Sequence, residues 1–311
     1  MPIKPLVSLC IPTNGVAEWV FPVLDSIFEQ TVDNSQYEVV ITDNGSNQEF
    51  KTILKEKYLS QHANLVYEET EAQLFLNEIE AYKRASGELI KFVNHRTRLT
   101  KGSLEKLIAF VHEYGEEKPI IYFSNGAITS LDQKRYQYDD FNQFVRELSY
   151  WSSWSTGMTI WKSDFGRLPT DTVFNYLFPH TTILFQERTR EKYIIDNTII
   201  MDEIPVGNKP KGQYDLFYAF AVEYPGILLD LLRRGDITQE TFLHVKRENL
   251  KFLSSLYLHF VIRHKPCSYD LSSYGSSIQV FYNHALLLKQ LLLVVVEIAL
   301  NRMKSCNSED K

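Results

Sequence analysis

The sequence predicts a doubly wound α/β core followed by a helical C-terminal region. Three observations point there. Short apolar runs rich in β-branched residues alternate with segments whose apolar residues recur at helical spacing, through residue 123. Those runs are apolar throughout rather than alternating, as strands covered on both faces are. From about residue 214 the β-like runs stop, and apolar residues recur three and four apart. A chain of 311 residues has enough interior to fold without disulfides, since it buries roughly three-quarters of its unfolded surface.

Residues 6–13, Leu-Val-Ser-Leu-Cys-Ile-Pro-Thr, read as a strand ended by proline. Residues 37–42 read as a second strand, ended by Asp43-Asn44-Gly45-Ser46. Between them Val20, Val23, Leu24, Ile27 and Phe28 mark a helix, so the unit is a parallel βαβ crossover. The pattern continues with a helix over 49–60, a strand over 64–67, a helix over 75–86 and a strand over 88–93. A helix over 102–114 and a strand over 119–123 follow. Residues 131–155 are polar and aromatic, and 156–202 read as strand and helix pieces, with 194–201 another β-like run. Helices are expected over 215–233, 238–264 and 278–304. Ligands of such cores bind at the carboxyl ends of the strands, which singles out the loops 12–18, 43–48 and 94–98.

Composition removes several classes. Cys10, Cys267 and Cys306 are odd in number and lack metal spacing, which fits a reducing compartment. The N-terminal stretch has two prolines and no small-residue cleavage site, unlike a signal or transit peptide. A net charge of −6 argues against nonspecific nucleic-acid binding. There is no phosphate loop of the GxxxxGK[ST] type, no GxSxG elbow and no HExxH pair.

Two turns carry candidate chemistry. Asp43 closes the second strand, where a carboxylate can accept hydrogen bonds from a nucleotide base or ribose, although Asp-Asn-Gly-Ser is also a good turn and helix cap. Pro12, Thr13 and Asn14 close the first strand at the neighbouring crevice.

Together, Ile11-Pro12-Thr13-Asn14 and Ile41-Thr42-Asp43-Asn44-Gly45-Ser46 resemble the strand ends of the family 2 glycosyltransferases of GT-A fold. The intervening helix, Leu24 to Thr31, is similar to that family's Leu-x-Ser-Ile-x-x-Gln segment. Asn77 to Phe92 resembles its Asn-x-x-x-Ala-x-x-x-Ala-x-Gly-Glu-Tyr-Ile, and Arg98 to Leu107 the segment after its metal motif. The resemblance covers residues 6 to about 110 well and 150–190 loosely. Within the family, the stretch around Pro179-His180 is most similar to abequosyltransferase-type O-antigen transferases. The implied fold is a GT-A Rossmann-like, mostly parallel sheet flanked by helices. The implied function is inverting transfer of a sugar from a nucleotide-diphosphate donor to a growing bacterial surface glycan, capsule or O-antigen. Carried over by position, Pro12, Thr13, Asn14, Asp43 and Asn44 line the nucleotide, with Asn94 and His95 beside them.

The metal motif departs from the family. Where members end the strand in Asp-x-Asp, holding Mg²⁺ or Mn²⁺, this chain reads Phe92-Val93-Asn94-His95-Arg96. Hard cations want oxygen ligands, usually with a carboxylate. No metal ligand is therefore assigned, and Mg²⁺ or Mn²⁺ is left as an option without its family ligands. Arg96, with Lys209 and Lys211 from a later loop, is the candidate for stabilising the diphosphate.

A single displacement needs one general base. His180 stands where the family's acidic pair would open a helix, and Asp171 is the second candidate. Trp151 and Trp154, beside an expected flexible Gly157, are candidates to stack on acceptor sugars. The division expected is a catalytic domain over 1–212 and a helical region over 213–311. The last helix is too interrupted by Lys289, Gln290 and Glu297 to span a bilayer. It reads as a packing helix or as an interfacial helix for membrane or homo-oligomer contact; the protein is expected in the cytoplasm, and the membrane reading sets it on the inner face of the cell membrane. The rival from another class is a noncatalytic GT-A-fold scaffold in a glycan assembly complex.

Overall fold

In the computed structural model, which describes residues 4–205 and 212–309 with side chains through residue 296, the first strand is β1 (Val7–Thr13). The helix α1 (Ala17–Phe28) turns Trp19, Val20, Val23, Leu24 and Ile27 inward, and β2 (Tyr37–Asp43) returns parallel to β1 with Thr13 opposite Asp43. The next helix, α2 (Gln48–Ile53), is capped by the Asn47 side chain, which accepts the Phe50 N–H, and runs on as wider turns over Leu54–Leu59. After β3 (Leu65–Glu69) come α3 (Asn77–Arg84), β4 (Leu89–Phe92), the short β5 (Thr97–Leu99) and α4 (Ser103–Tyr114). The chain continues through β6 (Ile120–Phe123), β7 (Arg135–Tyr138), α5 (Phe141–Leu148), β8 (Thr159–Trp161), α6 (Lys162–Gly166), α7 (Pro179–Leu184), β9 (Tyr193–Asp196) and β10 (Met201–Glu203).

The main sheet runs β3-β2-β1-β4-β8, parallel except for β8. Val7, Leu9, Ile11, Val39, Ile41, Leu89 and Val93 bury one face against α1 and α4. Two smaller sheets complete this part, β6-β9-β7 and β10-β5. The strand expected over 119–123 is β6, and it lies in the first of these two sheets. The outer edge of β4 is taken by the antiparallel β8, while β6 pairs with β9 and meets the 158 region through one bridge, Tyr122 to Met158. Asp202 and Glu203 pair in β10 with Arg98 and Thr97.

Contacts divide the chain into two compact units, Met1–Val206 and Gly207–Lys311. The second is helical: α8 (Leu216–Tyr218) runs through wider turns into α9 (Tyr224–Arg234), followed by α10 (Gln239–Leu256), α11 (Tyr274–Phe281) and α12 (His284–Glu309). The single helix expected over 278–304 is broken at Tyr282. That residue is extended, and its buried hydroxyl accepts from the Asn249 amide at 3.0 Å.

Gly157, expected as a flexible point, is a close-packing position. A Cβ there would lie 2.0 Å from the Tyr122 ring, whose hydroxyl reaches the carbonyls of Trp151 (2.6 Å) and Trp154 (2.8 Å). Gly157→Ala should therefore lower stability by roughly 1–3 kcal/mol through overpacking. A urea unfolding curve with an unshifted midpoint would show that Tyr122 does not fix this segment.

Candidate functional site

The candidate site forms where β1, β2 and β4 end. Thr13 is its hub. Its carbonyl accepts from the Asn44 N–H and from the Asn77 amide, each at 3.1 Å. Its hydroxyl accepts from the Gly15 N–H (3.1 Å) and lies 2.9 Å from Nδ1 of His95. Burial and the neighbouring Arg96 pull the His95 pKa down to about 3. The imidazole is therefore neutral, and it shares one hydrogen bond with the Thr13 hydroxyl.

Asn77 opens α3 and is buried. Its Nδ2 donates to the carbonyls of Thr13 and Thr42, at 3.1 and 2.9 Å. Its Oδ1 accepts from the Thr70 hydroxyl at 2.9 Å, so one amide clamps three strand ends. The loops after β1 and β2 then touch directly. A Cβ on Gly45 would lie 2.0 Å from the Asn14 carbonyl oxygen, and Gly15 needs φ +76°, which glycine adopts without strain.

Asp43 is buried at the mouth of this knot. One carboxylate oxygen accepts from the Gly45 N–H (2.8 Å), the other from the Tyr67 hydroxyl (3.1 Å). Burial raises its pKa, opposed by these hydrogen bonds and by Lys51. The carboxylate thus shapes the turn itself, and each oxygen keeps a lone pair for a ligand. Of the remaining nucleotide candidates, Asn14 is exposed and Pro12 half-buried, while Asn44 spends its amide on the Ala72 carbonyl (2.8 Å).

At the metal-motif position, the Asn94 side-chain oxygen accepts from the Arg96 N–H (3.0 Å), and His95 is held by Thr13 and packs edge-on to Trp19 at 5.2 Å. The Arg96 guanidinium sits 5.5 Å over the Trp19 ring, a cation–π geometry. Its Nε is buried without a hydrogen-bond partner, and no carboxylate among the described residues pairs with it. These residues do not fit a divalent metal. The Asn94 oxygen and the His95 nitrogen are engaged, a cation stands beside them, and no cluster of three His, Cys, Asp or Glu suits an ion among the described residues. Lys209 and Lys211 lie outside the described residues.

The other candidates lie on α7, the turn before it and the 149–157 segment. His180 is buried, with Nε2 at 2.9 Å from the Ser153 carbonyl and Nδ1 at 3.4 Å from the buried Glu78 carboxylate. Both ring nitrogens face protein groups, so the expectation of an open general base is corrected: His180, with Thr181 bonded to the Ser152 carbonyl, fastens α7 to the 152–153 segment. Asp171 is exposed in the turn from Pro169 to Thr172. Trp154 is partly exposed and meets Trp151 edge-on at 4.5 Å, leaving an aromatic surface available.

Sequence reading missed Asn77, Tyr67, Trp19 and Glu78 as site residues. Asn77 had a signal, since it begins the motif that resembles the family's α3 segment. Lys91 was also missed. It is fully buried, and its ammonium donates to the carbonyls of Phe92 (2.9 Å), Thr156 (2.6 Å) and Met158 (3.3 Å), bracing the 155–158 turn against β4.

Residues 8–169 match the family described as Glycosyl transferase family 2. A relative in Bacillus subtilis (strain 168), described as a teichuronic acid biosynthesis glycosyltransferase, TuaG, is 25% identical over 111 residues. That match covers 35% of this chain and 43% of TuaG, so the chain spans less than half of that relative's length. Among solved structures, S. aureus TarS in complex with UDP-GlcNAc aligns at TM-score 0.58 and 16% identity, covering 88% of this chain and 80% of that one. S. aureus TarS in complex with UDP aligns at TM-score 0.51 and 18% identity, covering 82% and 72%. At these identities the likeness establishes the GT-A fold.

Two predictions follow from this geometry. Asn77→Ala removes the amide's bonds to the Thr13 and Thr42 carbonyls, the first of which keeps the Asn44 N–H, and should cost about 1–3 kcal/mol; no loss in chemical denaturation would place the clamp elsewhere. Burial pulls the Lys91 pKa from 10.5 down to about 7. Between those values the unfolded chain holds the extra proton, so stability from this group rises with pH. The melting temperature of the wild type minus that of Lys91→Met should therefore climb from pH 7 to 10. A flat difference would contradict the burial of the ammonium.

Proposed function

The chain belongs to glycosyl transferase family 2, and we propose that it moves a sugar from a nucleotide-diphosphate donor to a hydroxyl of a growing bacterial surface polymer. One observation carries this reading. Arg96, stacked on Trp19 and without an anionic partner among the described residues, stands at the end of β4 beside the Thr13–Asp43 crevice. A half-buried guanidinium without an anion is a preorganised site for phosphate oxygens.

In the proposed reaction the acceptor oxygen attacks the anomeric carbon as the bond from that carbon to the β-phosphate oxygen breaks. Inversion follows from the single displacement. The nucleoside diphosphate leaves with the electron pair, its charge met by Arg96 rather than by a metal. Thr13, Asn14, Asp43 and Asn44 bind the nucleoside, and the exposed Trp154 ring beside the half-buried Trp151 offers an apolar face to the acceptor sugar. The acceptor hydroxyl gives its proton to the carboxylate of Asp171, the exposed one of the two base candidates. The description of TuaG supports a surface polymer as the product, with capsule and O-antigen among the classes to test, and the donor complex of TarS supports starting from UDP-sugars. The reading places the protein in the cytoplasm.

A second reading is favoured by one specific observation, the absence of the metal carboxylates together with the burial of His180. Under it the chain binds a nucleotide-sugar without turning it over, within a glycan assembly complex.

The test is a panel of nucleotide-sugars in EDTA, with nucleoside diphosphate release followed by mass spectrometry. One donor should be consumed, and Arg96→Ala should raise its KM roughly 10- to 100-fold, the loss of a charge-assisted contact. Binding without consumption of any donor would favour the second reading. Turnover unchanged in Arg96→Ala would remove Arg96 from the diphosphate.

A further inference from the structure

From His284 to Val296, the helix α12 is apolar on nearly every side. Leu287, Leu291 and Val294 are buried in the seam packed on α10, yet Leu286, Leu288, Leu292, Leu293, Val295 and Val296 are exposed, Leu292 by 69% and Leu288 by 61%. Val280 on α11 adds to them at 60%. Water-soluble surfaces seldom show so continuous an apolar stripe, and a helix apolar all round belongs in a core or in lipid.

Charge decides between a bilayer and a second copy of the chain. Over residues 241–296 the cations are Lys246, Arg247, Lys251, Arg263, Lys265 and Lys289, against only Glu248 and Asp270, although the whole chain carries −6. Arg263, His264 and Lys265 are exposed directly after the exposed Ile262, and Lys289 projects from α12 itself. Arg263, Lys265 and Lys289 have no ion-pair partner among the described residues. A symmetric dimer through the exposed side of α12 would bury Lys289 in an apolar seam, with no acid between His284 and Val296 to pair with it. Anionic lipid headgroups would instead neutralise these cations while the leucines enter the acyl boundary. Hydropathy agrees: α11 and the part of α12 through Val296 reach together the mean hydropathy of a membrane span, yet they are bent by 103°, and among the described residues no single helix is long and apolar enough to cross. Such a pair suits lying in the interface.

We propose that the exposed face of α12, with Arg263, Lys265 and Lys289, docks this chain on an anionic lipid bilayer. This inference stands apart from the transfer reading, because vesicle binding needs neither donor nor acceptor.

The experiment is co-sedimentation of the full chain with phosphatidylcholine vesicles, with and without phosphatidylglycerol, at low and high salt. Binding should require the anionic lipid and weaken with salt. The double variant Leu288→Asp/Leu292→Asp, at two exposed positions, should lose binding at least tenfold with an unchanged circular dichroism spectrum. Arg263→Gln and Lys265→Gln should each weaken it about fivefold, as one surface cation does. Absence of binding at low salt, or undiminished binding by the aspartate variant, would overturn the proposal. So would a dimer in sedimentation velocity that the aspartate variant splits while neither protein binds vesicles, which would assign the face to a second copy.

Discussion

The buried side-chain amide of Asn77 is the constraint on which the crevice rests. Three loops end strands at this point, and each leaves backbone groups that the ladder no longer pairs. An unpaired buried carbonyl costs about 1–3 kcal/mol. Asn77 donates to the Thr42 carbonyl and, beside the Asn44 N–H, to the Thr13 carbonyl, and takes a hydroxyl from Thr70 on its other side, so the ends of β1, β2 and β3 are held at one spacing. Gly45 can then pass against the Asn14 carbonyl, and Asp43 can turn its carboxylate back onto the Gly45 N–H. At the opposite end of the sheet Glu38 plays a similar part, accepting from Ser8 and from the hydroxyl and N–H of Ser86. The parallel strands are therefore pinned at both ends by buried polar side chains, and the crevice at their carboxyl ends is rigid before any ligand arrives.

The exchange of metal carboxylates for Asn94, His95 and Arg96 changes the electrostatics of that crevice without disturbing its frame. In this chain the fixed positive charge is covalent. Trp19 supplies a polarisable face that holds the guanidinium, and the neutral His95 fills the space between them and Thr13 without adding charge. A guanidinium cannot deprotonate and does not depend on ion supply, but it offers hydrogen bonds in one fixed fork rather than an adaptable coordination sphere. The expected result is a site selective for the geometry of one anion.

Much of the fold was legible because its signals are local. Proline after Ile11, the Asp-Asn-Gly-Ser turn and the apolar spacing of Val20 to Ile27 each state their own structure. What escaped depends on distant partners. Nothing near residues 120–123 says that Ile120 will pair with Tyr193 and leave the main sheet edge to Thr159–Trp161. The helix break at Tyr282 answers to Asn249 on α10. In the site, the positions of Thr13, Asp43 and Arg96 were legible from the strand ends, but the burial of His180 was not, because it is set by Glu78 and the Ser153 carbonyl. Gly157 was misjudged for the same reason: its need for glycine comes from the Tyr122 ring rather than from its own backbone.

The central claim is that a crevice built around Thr13, Asn77 and Arg96 binds a nucleoside diphosphate by fixed protein charge. Calorimetric titration with UDP, GDP, CDP and dTDP, first in EDTA and then with Mn²⁺, tests it most directly. The account predicts that one of them binds in EDTA and that Mn²⁺ leaves its affinity essentially unchanged. Binding that appears only with Mn²⁺, or no binding of any of the four, would contradict it.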